Sequence, residues 1–328
     1  MKKTVKDAKD SIFKKSEKLE GVEIKGYNFD RGIDLKEIIE KYGSTGFQAT
    51  NLYKAIELIR KMRKEKVTIF LGYTSNMVSS GMREVLRYIV EHKLVDVLVT
   101  TTGGIEEDVI KTIKPFLLGD FRADGAKLRK TGINRIGNIF VPNDRYIEFE
   151  KFFQQILKEL LEKQRETGNI ITASEVIDFI GSKINSKESI YYWAHKNNIP
   201  VFCPALMDGA IGDNFYFFNF DKAQELKVDM AKDHHKLIEL VIDAEETGII
   251  ILGSGVVKHT ICNANMFREG AKYAVYINTA PEYDGSDSGA EPEEAKSWGK
   301  IQGNADTVKV FGDATIIFPL IVAAAFVD

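Results

Sequence analysis

Short apolar runs alternate with helical stretches along most of this chain, and this alternation constrains the fold more than any other feature. Strands are predicted at residues 67–71, 96–100, 136–141, 200–203, 248–252, 273–277 and 307–311. Helices are predicted between them, including residues 146–166 and 222–246. Continuously apolar strands are buried on both faces, as in a parallel sheet covered by helices. The sequence therefore predicts an α/β fold with one doubly wound, mainly parallel, Rossmann-like sheet.

The chain of 328 residues contains no internal repeat and no low-complexity linker. One domain can hold a sheet of this size. We therefore predict a Rossmann-like catalytic domain over residues 66–328, preceded by a helical N-terminal extension at residues 1–65. At residues 172–175 the sequence TASE predicts a capping box at the start of a helix.

Charge and composition exclude several classes of protein. The net charge of −3 gives no support for a basic nucleic-acid-binding face. The longest apolar run, residues 316–327, contains Pro319 and is too short to span a bilayer. Cys203 and Cys262 are far apart without metal-ligand or redox spacing, which predicts reduced, buried thiols. With a charged N-terminus lacking a signal sequence, these features predict a cytoplasmic protein without metal, membrane or nucleic-acid partners.

Small and polar residues follow the predicted strands at six places. These turns are residues 72–76, 101–104, 208–209, 253–255, 278–280 and 313–314. Because the carboxyl ends of parallel strands meet at one edge of a sheet, the turns predict a site there for a large polar ligand. The turn at 253–255, GSG, also opens a helix, where backbone N–H groups favour an anion such as a pyrophosphate. The glycine fingerprint is incomplete, since Lys258 stands at its sixth position.

An acidic run, residues 282–294, holds six carboxylates and neither Lys nor Arg. A solvated loop before a helix N-terminus would explain it, because acids there complement the helix dipole. A metal site fits less well, since the spacing matches no calcium loop. An organic polycation is the third interpretation, because separated carboxylates can each pair with one ammonium.

Three further residues stand out near these segments. Lys300 follows the acidic run, and a lysine that attacks a carbonyl or imine carbon must be neutral, which requires special surroundings. Trp298 is either part of the core or a face for a cation. His259 lies just inside the helix after the GSG turn, where an imidazole can act as a base or as a hydrogen-bond partner.

Taken together, these segments resemble the deoxyhypusine synthase family. The resemblance extends from about residue 26 to the C-terminus. It rests on residues 43–51 (GSTGFQATN), 70–76 (FLGYTSN), 100–108 (TTTGGIEED), 132–138 (GINRIGN), 257–259 (VKH), 274–280 (AVYINTA), 284–289 (DGSDSG) and 297–301 (SWGKI).

The resemblance implies roles for individual residues. The catalytic residues would be Lys300, the nucleophile, and His259, the base. Spermidine would contact Glu106, Glu107, Asp213, His259, Gly285, Ser286, Asp287, Glu294 and Trp298. The cofactor NAD would contact Ser75, Asn76, Met77, Val78, Ser79, Thr101, Thr102, Gly103, Asp208, Thr279, Ala280, Asp313 and Ala314.

The resemblance also implies a reaction and partners. NAD accepts a hydride from spermidine, Lys300 captures the aminobutyl group as an imine, and a lysine of the translation initiation factor 5A precursor receives it. The family enzyme is a homotetramer with sites between subunits, and residues 1–20 are candidates for a helix that covers the entrance.

Three other functions stay open on the sequence. A homospermidine synthase would use the same lysine chemistry with putrescine as acceptor. A non-catalytic sensor of NAD or polyamines would have no use for the imine-forming Lys300. An ordinary NAD dehydrogenase would release NADH as a product.

Overall fold

The structure is a computed structural model that describes residues 4–220 and 225–327. Three short segments lie outside the described residues: 1–3, 221–224 and 328. The first belongs to the predicted extension, the second overlaps the helix predicted at 222–246, and the third ends the predicted catalytic domain. The helices are α1 Val5–Ile12, α2 Leu35–Lys41, α3 Phe47–Glu65, α4 Ser75–Ser79, α5 Met82–Glu91, α6 Thr102–Ile113, α7 Gly125–Lys130, α8 Asn143–Thr167, α9 Ala173–Lys183, α10 Ile190–Asn197, α11 Ala210–Asn219, α12 Met230–Asp243, α13 Val256–Asn265, α14 Pro292–Ser297 and α15 Ala314–Ala325. The strands are β1 Thr68–Tyr73, β2 Val97–Thr100, β3 Leu117–Leu118, β4 Ile133–Ile136, β5 Ile139–Pro142, β6 Val201–Phe202, β7 Thr247–Leu252, β8 Ala271–Asn278 and β9 Ile301–Phe311.

Six strands form one sheet in the order β6-β2-β1-β7-β8-β9. Every neighbouring pair in this sheet is parallel. Numbered by their sequence within the sheet, the strands run 3-2-1-4-5-6, which is the Rossmann order. The predicted fold class is confirmed, and the strand order reverses between β1 and β7.

Alternate residues of the strands face two separate apolar layers. In β7, Ile250 and Leu252 pack into the core that α3, α5 and α15 cover. Ile249 and Ile251 point to the opposite face and pack against α12 and α13. The period of two along each strand thus explains why nearly all strand residues are apolar, since both faces are buried.

The strand predicted at 136–141 does not join this sheet, so that prediction is wrong. The run is divided by a turn at Gly137, whose φ of 59° lies in the left-handed region. Ile136 is the last residue of β4 and residues 139–141 lie in β5; these strands pair in antiparallel fashion, and β3 completes a separate three-stranded sheet. A two-residue hairpin turn containing glycine explains the division.

Two other local predictions have different outcomes. The predicted turn at 102–104 is instead the first turn of α6, where the Tyr191 hydroxyl donates to the Gly104 carbonyl at 2.8 Å. The capping box is confirmed: Thr172 accepts from the Glu175 N–H at 3.3 Å, and Glu175 accepts from the Thr172 N–H at 2.8 Å. In the described part of the region 222–246, the helix begins at Met230.

The N-terminal region divides into two parts by its burial. Helix α3 packs Ile56, Ile59 and Met62 into the core of the sheet. Residues 4–33 are almost entirely exposed, and α1 buries none of its residues. The domain boundary at residue 65 and the covering role of residues 1–20 stay predictions. Among the described helices, none is both long and apolar enough to cross a bilayer.

Candidate active site

The carboxyl edge of the six-stranded sheet brings together the residues predicted to contact a dinucleotide. Helix α4 follows β1, Thr101 is the N-cap of α6 after β2, and Asp313 is the N-cap of α15 after β9. Thr279 and Ala280 follow β8, beside β9. These segments flank the point where the strand order reverses, which is where Rossmann sheets bind their ligands.

The GSG turn lies at this reversal point, between β7 and α13. Gly253 has a φ of 87°, and its N–H donates to the Ile277 carbonyl at 2.9 Å. A Cβ at Gly253 would lie 2.6 Å from the Thr74 hydroxyl oxygen, so only glycine fits against β1 there. Gly255 is the N-cap of α13, and a Cβ atom added to it would have no atom within 4 Å beyond those of its immediate neighbours in the chain. Backbone N–H groups at this helix start are therefore open to an anionic group.

Helices α4 and α6 are joined by polar contacts that build one wall of this edge. The Ser75 N–H donates to the Thr101 hydroxyl at 3.0 Å, and the Ser79 hydroxyl donates to Glu107. Lys111 Nζ donates to the Val78 carbonyl at 2.9 Å and to the Ser80 carbonyl at 2.8 Å. One ammonium therefore satisfies carbonyl groups at the end of α4, which could otherwise find no partner within so short a helix.

Two adjacent carboxyl groups, Glu106 and Glu107, are buried in the first turns of α6. The pKa of Glu106 is raised to about 7, mainly by burial and to a lesser extent by the nearby Asp213 and Asp208, whereas the Ile211 N–H, which donates to it at 2.9 Å, lowers it. Burial likewise raises the pKa of Glu107 to about 7, with Glu106 adding to the effect. Neither forms an ion pair within residues 4–220 and 225–327, so a cationic ligand would favour their charged forms.

The next residue, Asp108, shows the opposite arrangement. It is fully buried, and it accepts from Arg83 Nε at 2.6 Å and from the Ser189 hydroxyl at 2.5 Å. This buried ion pair ties α6 to α5 and to the N-cap of α10. The contrast separates a structural carboxylate from the two that lack a cation.

A second set of predicted residues lies on the loop between β8 and α14, residues 279–291. Two buried lysines hold the backbone of this acidic loop. Lys258, 2% exposed, donates to the carbonyls of Asp287 at 2.5 Å and Ala290 at 2.9 Å. Lys309, 8% exposed, donates to the carbonyls of Ala280 at 3.0 Å and Gly289 at 2.7 Å. The loop is therefore a fixed structure and not a freely solvated segment.

Asp287 and His259 meet at the inner side of the acidic loop. His259 Nδ1 lies 3.5 Å from Asp287 Oδ1, and His259 Nε2 lies 2.8 Å from the Asn263 side-chain amide. In the part of the chain that the structure describes, Asp287 Oδ2 is buried and has no hydrogen-bond partner. A buried carboxylate oxygen without a donor is costly, and a ligand N–H would satisfy it.

The loop tip and α14 carry the other predicted contacts. Gly285 has a φ of 71°, and the Ser286 N–H and hydroxyl both donate to Asp284, at 2.9 and 2.7 Å. Glu294, in the first turn of α14, and Trp298, its C-cap, are exposed. The ammonium of Lys300 lies 5.4 Å from the centre of the Trp298 ring, a distance at which a cation and an aromatic face attract.

The backbone of Lys300 lies at the amino end of the sheet. Its carbonyl accepts from the Ala271 N–H at 3.1 Å, and the next residue, Ile301, pairs with Ala271 at the start of β8. The seven residues from there to the end of β8 at Asn278 span roughly 23 Å. Glu106 follows β2, four strands from β9 and therefore about 19 Å away across the sheet. The single chain thus does not bring Lys300 and Glu106 together.

Sequence reasoning did not single out the residues that organise these segments. They are Lys111, Lys258 and Lys309, each donating to backbone carbonyls, and Asn263, the partner of His259. Lys309 carried a usable signal, since it interrupts the apolar strand 307–311. Lys258 did as well, because it shares a helix face with the apolar Ile261 and Cys262, three and four residues later. Within the described residues, no group of three His, Cys, Asp or Glu side chains could hold a metal ion.

Comparisons with known proteins agree with the resemblance drawn from the sequence runs. A family model described as deoxyhypusine synthase matches residues 37–325. A relative from Methanocaldococcus jannaschii, named "Probable deoxyhypusine synthase", is 54% identical over 325 residues, covering 95% of this chain and 98% of the relative. The deoxyhypusine synthase of Arabidopsis thaliana is 48% identical over 345 residues, covering 96% and 94%. A crystal structure from Entamoeba histolytica, assigned to the same family, matches with a TM-score of 0.68 and 33% identity over 92% of this chain and 96% of that one.

Proposed function

Since the chain belongs to the deoxyhypusine synthase family, we propose that it transfers the 4-aminobutyl group of spermidine to a lysine of the translation initiation factor 5A precursor. The protein is an enzyme, a transferase of the deoxyhypusine synthase type. The observation that carries this conclusion is the family match across residues 37–325, which includes the acidic loop and Lys300. The chemistry that follows assigns tasks to individual side chains.

NAD fits the carboxyl edge of the sheet. The Rossmann strand order, the open space at Gly255 and the N-termini of α4, α6, α13 and α15 suit a pyrophosphate and its flanking nucleosides. Residues 75–79, 101–103, 279–280 and 313–314, together with Asp208, would hold it. When bound, NAD would accept a hydride from spermidine and later return it.

Spermidine fits the carboxylates on both sides of the proposed site. The unpartnered Oδ2 of Asp287 supports an amine ligand most directly, because it is a buried acceptor facing no protein donor among the described residues. Glu106 and Glu107 offer buried acids that form no ion pair among the described residues, and Trp298 offers an exposed aromatic face. Gly285, Ser286, Glu294 and Asp213 complete the proposed contacts.

Two residues carry the proton and group transfer. His259, oriented by Asp287 and Asn263, accepts the proton from the secondary amine as the adjacent carbon is oxidised. The neutral amine of Lys300 attacks the resulting imine carbon, and 1,3-diaminopropane leaves. The acceptor lysine then displaces Lys300 from the aminobutyl imine. Reduction of the new imine completes deoxyhypusine, and water must stay excluded because it would hydrolyse either imine.

The placement of Lys300 supports a site shared between chains. Its backbone lies at the opposite edge of the sheet from the proposed NAD site, roughly 23 Å along the strands. A lysine side chain is far too short to cover that distance. We therefore propose that the Lys300 side of one copy faces the Glu106 side of another, within the homotetramer that the family resemblance implies.

Identification of the products tests the proposed function. The full-length enzyme is incubated with NAD, spermidine and either the initiation factor precursor or putrescine, and the products are identified by mass spectrometry. We expect a 4-aminobutyl addition on one lysine of the precursor, with 1,3-diaminopropane released. Homospermidine as the main product would assign the enzyme to the putrescine-using type, and accumulation of stoichiometric NADH would indicate an ordinary dehydrogenase.

A trapping experiment tests the role of Lys300. Borohydride added to enzyme, NAD and labelled spermidine should fix the label on Lys300 as a secondary amine. Lys296, four residues earlier and paired with Glu293 at 2.9 Å, is the internal control that should stay unlabelled. Label recovered on any other lysine would refute the assignment.

A further inference from the structure

The three-stranded sheet formed by β3, β4 and β5 lies next to α7, and neither is well buried. We call this segment, residues 117–142, the arm. Of its 26 residues only Val141 is buried, so the arm has no core of its own. A small sheet of this kind is marginally stable unless its apolar side chains are covered.

An apolar row crosses the arm and stays open on one side. Leu118 pairs with Ile139, and Ile139 pairs with Ile136, so these three side chains lie next to one another on the same face. Leu118 is 84% exposed at the end of this row. Phe121, 67% exposed, lies against Gly137 at the hairpin turn. Contiguous exposed apolar groups of this kind mark interaction surfaces.

The arm is also strongly basic for a chain of net charge −3. It contains five basic residues, Arg122, Lys127, Arg129, Lys130 and Arg135, and two acids, so its net charge is +3. Both acids accept from backbone N–H groups, Asp120 from Arg122 and Asp124 from Ala126 and Lys127. None of the five basic residues forms an ion pair in the described part of the chain, whereas Lys114 and Arg145 at the base both pair with Asp144.

The arm is anchored close to the buried acids of the proposed site. Helix α6 runs from Glu107 to its end at Ile113, six residues or about 9 Å, and the arm begins four residues later at Leu117. On its other side, the Asn143 N–H donates to the Gly132 carbonyl at 2.8 Å, which fixes the arm to the start of α8. Tyr146, in the first turn of α8, is part-buried beside the carboxylates of Glu107 and Glu106.

We propose that the arm is the docking surface for the protein acceptor, and that it contacts an acidic and apolar face beside the target lysine. This inference rests on the proposed function. A partner that presents a lysine to the carboxylates and acids to the arm would match the charge pattern of this molecule on both sides. The apolar row of Leu118, Ile136 and Ile139, which is exposed at Leu118, favours a protein over a nucleic acid, which would be held mainly through its phosphates.

Charge neutralisation on α7 tests the proposal. In the triple variant Lys127→Gln, Arg129→Gln and Lys130→Gln, three charges are lost and helix propensity is kept. We expect kcat/KM for the initiation factor precursor to fall about tenfold at low ionic strength, because electrostatic attraction to the partner is weakened. Cleavage of spermidine without acceptor, followed as 1,3-diaminopropane release, should stay within about twofold of wild type. Wild type at high salt should approach the variant.

Two further variants complete the test. A control with the same charge change on exposed lysines elsewhere, Lys158→Gln, Lys187→Gln and Lys232→Gln, should leave both rates unchanged. The variant Leu118→Gln should weaken binding of the protein acceptor at high salt as well as at low salt, because the variant removes an apolar contact that salt does not screen.

Several outcomes would overturn the docking role. One is an unchanged kcat/KM for the acceptor in both arm variants. Another is a change in the number of subunits of an arm variant, measured by light scattering. The third is an arm variant that no longer binds an RNA oligonucleotide but modifies the acceptor with normal kinetics. If wild type cleaves spermidine but modifies no lysine of the precursor, the proposed acceptor fails instead.

Discussion

Glu106 and Glu107 are buried acids whose surroundings penalise their charge. Each lies in the first turns of α6, and burial raises the pKa of both to about 7. Their neighbour Asp108 is equally buried, but Arg83 neutralises it. The same helix thus contains one carboxylate paired by the protein and two that a cationic substrate could pair.

The raised pKa values predict a dependence of stability on pH. Between about pH 4.5, the ordinary pKa, and pH 7, the folded protein binds more protons than the unfolded chain, so stability falls as pH rises. Glu107→Gln removes the carboxyl group at residue 107 and with it that group's share of the loss of stability. Relative to wild type, the variant should therefore gain up to about 3 kcal/mol of unfolding free energy between pH 4.5 and 8. Urea unfolding at several pH values measures it, and a constant difference would contradict the shifted pKa.

Asp287 provides the second prediction at the scale of one residue. Asp287→Asn removes the negative charge while keeping a similar shape, so spermidine binding should weaken by about 1.5–3 kcal/mol, the range for a charged hydrogen bond. Calorimetric titration with spermidine in the presence of NAD measures it. Glu293→Gln, at an 80% exposed side chain on the neighbouring helix, is the matched control and should bind normally. Equal affinity of Asp287→Asn and the control would remove Asp287 from the site.

His259 provides the third prediction at the scale of one residue. His259→Ala should slow the first hydride transfer, observed as NADH absorbance in a single turnover, more than it weakens NAD binding. The reason is that His259 lies beside Asp287 at the acidic loop, whereas the backbone at Gly253 and Gly255 forms the proposed contact with the dinucleotide. A normal rate would exclude His259 as the base.

At the scale of elements, the joint between α4 and α6 organises the cofactor side. Lys111 of α6 donates to the carbonyls at the end of α4, while Ser79 of α4 donates to Glu107 of α6. Burial lowers the pKa of Lys111, which shows that its surroundings penalise the charge that these carbonyls stabilise. The two helices therefore position each other.

Lys111→Met should loosen this joint. The carbonyls of residues 78–80 lose their donor, so we expect the dissociation constant for NAD to rise at least tenfold, the effect of losing a hydrogen bond to a charged group. Lys111→Arg should recover part of the affinity. Lys114→Met is the control, since Lys114 only pairs with the half-exposed Asp144 at 3.0 Å. NAD binding unchanged in Lys111→Met, with normal circular dichroism, would contradict the positioning role.

At the scale of the whole molecule, the proposed nucleophile Lys300 and the proposed spermidine contact Glu106 lie at two ends of one sheet. Glu106 follows β2 at the carboxyl edge, and Lys300 precedes β9 at the amino edge. We propose that a site using both is assembled from two copies. Two-fold symmetry would then produce two such sites for every pair of chains.

Mixing of inactive variants tests this arrangement. Lys300→Ala and Glu106→Gln are each expected to be inactive. After co-refolding in equal amounts, half of the pairs contain one chain of each type, and one of the two sites in such a pair is intact. Activity should therefore recover to about a quarter of wild type. No recovery, with hybrids verified by mass spectrometry, would place both residues of one chain in the same site.

The sequence alone was sufficient for the fold class and the family. Apolar runs such as 248–252, which are short and alternate with helical stretches, are typical of strands buried on both faces, and strings such as TTTGGIEED and SWGKI are specific enough to reveal relatives. The same local signals located the segments at the carboxyl edge, because a glycine or a helix cap acts within a few residues, although residues 102–104 begin α6 and form no separate turn. They failed at 136–141, where strand propensity cannot tell a hairpin from a sheet strand.

Tertiary structure decided what depends on residues far apart in the chain. Lys258 and Lys309 became buried donors to the acidic loop only because α13 and β9 pack beside it. Glu106 and Asp108, two residues apart, received opposite environments because Arg83 of α5 reaches one and not the other. Only the strand order and direction placed Lys300 at the far edge from Glu106, since a sequence records the order of residues but not their distances in space.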